Sequence, residues 1–285
     1  MKIGVSSYSF SGVMRAGEYN QFTVIQKAKD MGFDGIEFVD ILPHDGSCPE
    51  EYAKKLREEC GRLEMPILNF TFGADFINCT DRHAEIERVK HMIDMAEILG
   101  AKSVRHDATV GKPGISFDSV LLDLAESCRE ITKYAEQKGI STMVENHGLF
   151  CQDSLRLERL YNAVNHPNFG LLCDMGNYLC ADENPARAFG ITAPYARYVH
   201  AKDFHVKPAD GDDPGEGFFT SRAGAYLRGA IIGHGNVPVR QCLTALKRAE
   251  YKGNIAIEFE GMEYSIKALE IGLANLRRYV ENVGL

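Results

Sequence analysis

The feature that most constrains the fold of this 285-residue chain is an alternation of short apolar strands and amphipathic segments, repeated eight times. The predicted strands read KIGVSSY, GIEFV, PILNFTF, SVRHD, STMVENH, FGLLCDM, YVHAKDF and NIAIEFE. Strands that alternate with helices form a parallel sheet, and right-handed crossovers place the helices on its outside. Eight such units predict the α/β class and a single (β/α)8 barrel over residues 1–285.

The segments between the strands have apolar residues at three- and four-residue spacing, which is typical of helices packed on a core. We predict helices at residues 50–63, 82–99, 117–138 and 266–283. Glycine follows several helical segments, at Gly32, Gly100 and Gly139, where it is the expected C-terminal stop. A doubly wound open sheet is the alternative, but it would not bring four consecutive strand ends to one point.

The composition narrows the class of partner. A net charge of −8 opposes binding to a phosphate backbone, so nucleic acid is not an expected partner. No apolar run reaches the roughly 20 residues that cross a bilayer, so no membrane partner is expected. The eight cysteines have neither disulfide-framework nor zinc-finger spacing, and the chain starts with a predicted strand instead of a signal peptide. We therefore expect a soluble, reduced, cytoplasmic protein.

Four strands in the second half of the chain each carry one metal-seeking side chain at the carboxyl end. These four candidate ligands are Glu145, Asp174, His200 and Glu258. Because function in parallel barrels lies at the carboxyl ends of the strands, we expect these side chains to converge. Three carboxylates and one imidazole form a mostly oxygen set, which predicts one divalent metal ion. Mn²⁺ is the first choice, and Mg²⁺, Co²⁺ and Zn²⁺ are alternatives.

Charged side chains in apolar strands need compensation, since an unpaired buried carboxylate costs several kcal/mol. A metal ion would provide it. The alternative is a structural ion-pair network in which Arg105, Arg197 and Lys202 neutralise the carboxylates.

The chain resembles the xylose-isomerase-like TIM-barrel superfamily of sugar and sugar phosphate isomerases and epimerases. The resemblance extends over nearly the whole chain, through the segments KIGVSSYSF, GFDGIEF, VENHG, CDMGN, VHAKD, GHGNVP and IEFEG. It implies that the four candidate ligands bind one divalent metal. It also implies a small-molecule sugar or sugar derivative as substrate, and leaves open a homo-oligomer or a partner subunit.

The chemistry expected of such a site is proton transfer next to a carbonyl. A metal that chelates a hydroxy-ketone stabilises the enediolate formed when the adjacent C–H proton is removed. With Glu145 and Glu258 as acid and base, return of the proton gives an epimerase or isomerase of a keto sugar, free sugar or sugar phosphate. Loss of a β-hydroxyl gives the alternative, a lyase or dehydratase on an oxidised sugar or cyclitol, including C-glycoside cleavage of 3-oxo glycosides.

The sequence disfavours two other functions. A sugar-binding barrel without activity is disfavoured by the intact acid pair Glu145 and Glu258. Cleavage of DNA at apurinic sites by three zinc ions, known in the same superfamily, needs a histidine three residues after the sixth-strand aspartate. That position is Asn177.

Other polar residues near the predicted strand ends are candidates for substrate contact. His147 shares a predicted face with Glu145 and is a candidate for moving a proton, so it completes the predicted catalytic set. Glu37, His106 and Lys202 are candidates for hydrogen bonds to substrate hydroxyls, and each has a structural role as its alternative.

A polar stretch at about residues 205–236 interrupts the alternation on the catalytic face. Long loops in compact domains are typically lids or binding loops, so we expect one here. The chain has no Trp. Any aromatic wall for a sugar must therefore come from Tyr8, Phe10, Phe72 or the Phe218–Phe219 pair.

Overall fold

Eight parallel strands close into a barrel in the computed structural model, which describes residues 1–285. The barrel strands are β1 (Ile3–Ser6), β2 (Ile36–Val39), β3 (Ile67–Phe72), β4 (Ser103–His106), β5 (Ser141–Glu145), β6 (Phe169–Asp174), β7 (Ala196–Ala201) and β11 (Asn254–Ile257). Their order around the barrel is β1, β11, β7, β6, β5, β4, β3, β2, so sequential strands are neighbours and the last pairs with the first. The predicted (β/α)8 barrel is confirmed.

Ten α-helices connect or follow the strands. They are α1 (Ser11–Arg15), α2 (Gln21–Met31), α3 (Pro49–Arg62), α4 (Arg82–Leu99), α5 (Phe117–Gln137), α6 (Ser154–Val164), α7 (Asn177–Cys180), α8 (Pro185–Thr192), α9 (Val239–Arg248) and α10 (Ser265–Val283). Two short 3₁₀ segments lie at Ser7–Phe10 and Ala193–Tyr195. The helix predicted at 82–99 has the bounds of α4, and the other three predicted helices differ by one residue at one or both ends. None of the helices combines the length and apolar character needed to cross a membrane.

Glycine ends two of these helices in the way the sequence predicts. Gly32 follows α2 with φ 89°, and Gly100 follows α4 with φ 88°. This left-handed conformation carries no steric penalty for glycine, and it turns the chain back toward the next strand.

The barrel interior below the carboxyl end is filled by a small apolar layer of Met143, Leu172, Tyr198 and Ala256. Each of these residues lies two positions before one of the four candidate ligands. Because side chains two apart share a face of a strand, this apolar layer lies directly below the candidate ligands in the barrel interior.

The long segment on the catalytic face is more ordered than the sequence predicts. It contains β9 (Phe219–Thr220) and β10 (Tyr226–Ala230), which form an antiparallel sheet with β8 (Asp203–Lys207) in the order β8, β10, β9. The long loop predicted at about 205–236 thus contains two short strands. Its Gly- and Asp-rich composition gives no local strand signal, and the strands form through pairing between residues that are far apart in sequence.

Asp203 fixes the return of this segment to the barrel. Its carboxylate accepts hydrogen bonds from the backbone N–H groups of Gly233 (2.8 Å), Gly235 (3.0 Å) and Val237 (3.0 Å). A β-carbon at Gly235 would lie 2.2 Å from Asp203 Oδ1, so only glycine allows this close approach. The GHGNVP segment is therefore shaped around one buried carboxylate.

Candidate metal centre

The structure brings the four candidate ligands together at the carboxyl end of the barrel. Glu145 and Asp174 are the last residues of β5 and β6, His200 lies in β7, and Glu258 follows β11 directly. All four are buried, and their potential ligand atoms lie within 4.8 Å of one another. The central atom is His200 Nδ1, which lies 3.5 to 3.7 Å from one carboxylate oxygen of each of the other three.

Two of these atoms have no hydrogen-bond partner. His200 Nδ1 and Asp174 Oδ2 are both buried, and neither makes a hydrogen bond to the protein. Buried polar atoms are almost always bonded, since leaving one unpaired costs free energy. Three carboxylate oxygens and an imidazole nitrogen around one point therefore fit a divalent cation in both donor type and number.

Glu37 orients the histidine of the cluster. His200 Nε2 lies 3.0 Å from both Glu37 carboxylate oxygens, so its N–H donates to Glu37 and the Nδ1 lone pair is turned toward the other candidate ligands. Glu37 is fully buried and also accepts a hydrogen bond from Thr71 Oγ1 at 3.1 Å. Glu37 therefore lies behind His200, away from the mouth of the barrel. Its carboxylate is already bonded to His200 and Thr71, so it does not offer the contact to a substrate hydroxyl that the sequence predicts.

Neighbouring groups hold the carboxylates in fixed orientations. Arg105 Nε donates to Glu145 Oε2 at 2.6 Å, and Asn177 Nδ2 donates to Glu145 Oε1 at 3.0 Å. Asp174 Oδ1 accepts from the backbone N–H groups of Gly176 and Asn177, at 2.7 and 2.8 Å. One oxygen of Asp174 is thereby fixed, and the other stays available as a ligand.

The cations near the cluster do not suffice to neutralise it. Lys202 Nζ lies 2.6 Å from Glu258 Oε2 and 3.4 Å from Asp174 Oδ2, and Arg105 contacts Glu145. Arg197, the third member of the ion-pair network considered from sequence, instead donates to the backbone carbonyls of Pro167 and Phe169.

Six carboxylates thus share two permanently charged side chains within this network: Glu37, Asp107, Glu145, Asp174, Glu258 and Glu260 against Arg105 and Lys202. The charge imbalance favours a bound divalent cation over a complete ion-pair network.

Nearby positive charges keep the carboxylates of Glu145 and Glu258 ionised. Burial alone would raise the pKa of Glu145, but the charge of Arg105 outweighs it and lowers the pKa below its ordinary value. Burial would also raise the pKa of Glu258, but the charge of Lys202 outweighs it and lowers the pKa well below its ordinary value. Burial would lower the pKa of Lys202, but the surrounding carboxylates raise it well above its ordinary value. Glu145 and Glu258 are therefore in the form that binds a cation.

His147 lies beside the cluster and is linked to it through Asp107. His147 Nδ1 is 2.9 Å from Asp107 Oδ1, and Asp107 in turn receives both terminal nitrogens of Arg105 at 3.0 and 3.1 Å. Burial of the ring would lower the pKa of His147, but the hydrogen bond that its Nδ1–H donates to Asp107 outweighs this effect and raises the pKa. Nε2 makes no hydrogen bond to the protein, so it is the nitrogen left for a ligand. Sequence analysis missed Asp107, although its place two residues after Arg105 puts both on one face of the chain.

The structure does not bring His106 to the site. Its ring is fully buried between Phe72 and Phe76, with centroid distances of 6.4 and 6.1 Å, and burial lowers its pKa to about 4. The reason is the alternation of β4. Arg105 and Asp107 face the barrel interior, so His106 faces the helices.

A recess of about 430 Å³ opens beside the cluster. It is lined by His147, Asn177, Lys202, Phe219 and Arg222, among others, so residues of the β8–β10 sheet form part of its wall. A recess of about 1050 Å³ between α9 and α10 contains none of the predicted site residues.

The segment carrying β9 is fastened across the mouth. Arg222 donates to the Leu149 carbonyl at 2.7 Å and to Asp153 Oδ2 at 3.2 Å, and Ser221 Oγ donates to Asp182 Oδ1 at 2.5 Å. These contacts join the segment to the chain that follows β5 and β6.

Two of the five aromatic candidates from sequence line recesses at the mouth, and a third, Phe218, lies with its ring centroid 5.3 Å from Arg228 Cζ. Phe10 and Phe72 are fully buried, whereas Tyr8 and Phe219 are each 42% exposed and line recesses there. Tyr8 and Phe219 are therefore the side chains able to stack on a sugar ring.

Comparison with protein families identifies the group to which this site belongs. The model of the xylose isomerase-like TIM barrel family matches residues 25–279. The chain belongs to this family. The resemblance inferred from the strand-end segments is thereby confirmed.

Solved structures agree with the fold. L-ribulose 3-epimerase superposes with a TM-score of 0.77 at 15% identity, covering 99% of this chain and 95% of that one. A xylose isomerase-like TIM barrel protein from Mycobacterium smegmatis in complex with magnesium gives 0.73 at 16%, covering 99% and 97%. The 3-keto-D-glucoside 4-epimerase from E. coli gives 0.71 at 17%, covering 98% and 99%. A search of curated protein sequences finds no match. At these identities the similarity is one of fold.

Proposed function

We propose that the protein is a divalent-metal-dependent epimerase or isomerase that acts on a keto sugar, free sugar or sugar phosphate through an enediolate. The observation that carries this proposal is the buried cluster of the four candidate ligands, in which neither His200 Nδ1 nor Asp174 Oδ2 makes a hydrogen bond to the protein. Mn²⁺ is the first choice of metal, and Mg²⁺, Co²⁺ and Zn²⁺ are the alternatives. Family membership and the two epimerases among the structural neighbours support the same function.

In this proposal the two glutamates act as acid and base on opposite sides of the substrate. A divalent cation in the cluster would polarise a substrate carbonyl and favour removal of the adjacent proton. In the order of the barrel, Glu145 on β5 and Glu258 after β11 are the outer two of the four candidate ligands. One carboxylate removes the proton and the other returns it to the opposite face, which inverts the carbon. Return to the neighbouring carbon instead exchanges the carbonyl and the hydroxyl.

His147 and Lys202 have supporting roles in this proposal. His147 is held by Asp107 through Nδ1, so Nε2 moves a proton to or from a substrate oxygen. Lys202 lines the recess beside Glu258 and donates to a substrate oxygen as that oxygen gains negative charge.

The proposed reaction is tested by solvent exchange. Purified protein loaded with Mn²⁺ is incubated in D₂O with a panel of ketoses, inososes and 3-oxo glucosides and followed by NMR. Deuterium at the carbon next to the carbonyl, with an epimer or isomer as product, is the expected result. Loss of a β-hydroxyl or of an aglycone would assign the alternative, a lyase. Absence of exchange in the whole panel would contradict the enzyme and favour a sugar-binding barrel.

We further expect the segment that carries β9 to cover bound substrate and exclude water. Lys207 of β8 pairs with Tyr226 of β10, so residues 208–225 can be replaced by an Asn-Gly turn without changing the register of that pair. This deletion removes Phe219 and Arg222 from the recess. It should lower kcat/KM at least about 100-fold, the scale lost when a closing element no longer positions substrate, while the melting temperature changes little.

Arg222→Ala is the matched point variant for this deletion, because it cuts the bonds to Leu149 and Asp153 without shortening the chain. Wild-type turnover in the shortened protein would reassign the segment to another role, such as a contact between subunits.

A further inference from the structure

We propose that the mouth of the barrel contains a second subsite, beside the metal pocket, which binds an uncharged aromatic aglycone. The substrate would then be a keto-glycoside rather than a free monosaccharide. This inference rests on the proposed function, since it assigns the class of sugar derivative that the metal pocket receives.

The subsite is a recess of about 360 Å³ at the carboxyl ends of β1 and β11. Its walls include Tyr8, Glu260, Met262 and Tyr264. Glu260 also lines the recess of about 430 Å³ that contains Lys202. The two recesses therefore share this side chain, and a molecule that occupied both would contact it.

Three large side chains in the wall of the subsite present apolar surface to solvent, beside polar and charged residues. Met262 is 56% exposed and Tyr264 is 53% exposed, and together with Tyr8 they place three large apolar side chains around one recess. Exposed apolar groups concentrated beside a reaction site indicate a ligand surface. Aromatic rings and a methionine sulfur make favourable contacts with another aromatic ring. A sugar without an aromatic group would leave part of this apolar surface uncovered.

The subsite is tied rigidly to the strand end that carries Glu258. Ser9 Oγ donates to the Ile257 carbonyl at 3.2 Å and accepts from the Phe259 N–H at 2.9 Å. Tyr8 precedes Ser9 in the chain, so these bonds hold it close to the strand end that carries Glu258. Consistent with this placement, burial and the charge of Glu260 raise the pKa of the Tyr8 phenol.

Glu260 is suited to bind the sugar where the two recesses meet. Its nearest cationic group is Lys202 Nζ at 3.6 Å, and it makes no direct hydrogen bond to the protein. Its carboxylate is therefore free to accept hydrogen bonds from sugar hydroxyls.

The charges around the subsite oppose an anionic ligand. Glu18, Glu260 and Glu263 line it together with a single cation, Arg15. A phosphate or carboxylate on the aglycone would meet net negative charge, so an uncharged group fits best.

The test compares two glycosides that differ only in the aglycone, 4-nitrophenyl and methyl 3-keto-β-D-glucopyranoside. Dissociation constants are measured by calorimetry on the full-length protein, with Mn²⁺ and without it. We expect the aryl glycoside to bind at least about tenfold more tightly, and Met262→Ala to reduce its affinity to that of the methyl glycoside. Leu42→Ala removes a comparably exposed apolar side chain outside both recesses and should keep the preference. Equal affinities, or no measurable binding of the aryl glycoside, would overturn the subsite.

Failure of the subsite and failure of the proposed function are distinguishable in the D₂O experiment. If free 3-keto-D-glucose exchanges its proton as efficiently as the aryl glycoside, the enzyme stands and the subsite falls. If no sugar exchanges but the aryl preference and its dependence on Met262 persist, the subsite stands and the proposed reaction falls.

Discussion

Replacing Asp174 by Asn is expected to remove the bound metal and abolish turnover while leaving the fold intact. The amide oxygen of Asn can still accept from the N–H groups of Gly176 and Asn177, which Asp174 Oδ1 now binds. The amide nitrogen would take the place of Oδ2, which makes no hydrogen bond to the protein, and an amide nitrogen cannot act as a metal ligand. Metal content by atomic emission, the melting temperature and turnover are the three measurements.

Two comparisons sharpen this result. Asp174→Ala should also lose the metal but should be less stable than Asp174→Asn, because it leaves two buried N–H groups unbonded. Glu37→Gln changes only the group behind His200, so it should weaken metal binding by about 10- to 100-fold without abolishing it. A metal-free Asp174→Asn protein with full activity would refute the metal centre.

The part of this centre that the sequence predicts depends on local signals. Barrel strands are buried on both faces and read as apolar runs, so a charged residue at the end of such a run is conspicuous. Glu145, Asp174 and Glu258 are found in this way, and His200 in the same position on its strand. The period of the strand-and-helix units then places all four at one end of the barrel.

The depth and direction of other side chains depend on contacts that no local pattern contains. In the segment SVRHD, His106 is the residue that sequence analysis selects as a substrate contact. The alternation of side chains along β4 instead turns Arg105 and Asp107 toward the barrel interior. Glu37 was expected at the mouth, and its actual role depends on His200, which lies 163 residues further along the chain. Residues 203–207 and 226–230 become strands only because they pair with each other.

His147→Gln is expected to retain the metal and substrate affinity and to lower kcat by roughly 10²- to 10⁴-fold, the range for one general acid–base group. His147 is not among the residues whose ligand atoms converge on the metal position, and its Nδ1 is engaged with Asp107 at 2.9 Å. Gln preserves a polar side chain that can bond to Asp107, but it does not exchange a proton. Metal content, KM and kcat are measured separately.

Glu145→Gln is the control that separates metal binding from proton transfer, because Glu145 is both a candidate ligand and a proposed acid–base group. It should lose metal and turnover together, whereas the His147 variant should lose turnover alone. Loss of metal from His147→Gln would make the histidine a ligand. An unchanged kcat would mean that His147 only forms the hydrogen bond to Asp107 and transfers no proton. Glu145 and Glu258 would then have to transfer the proton without a third group.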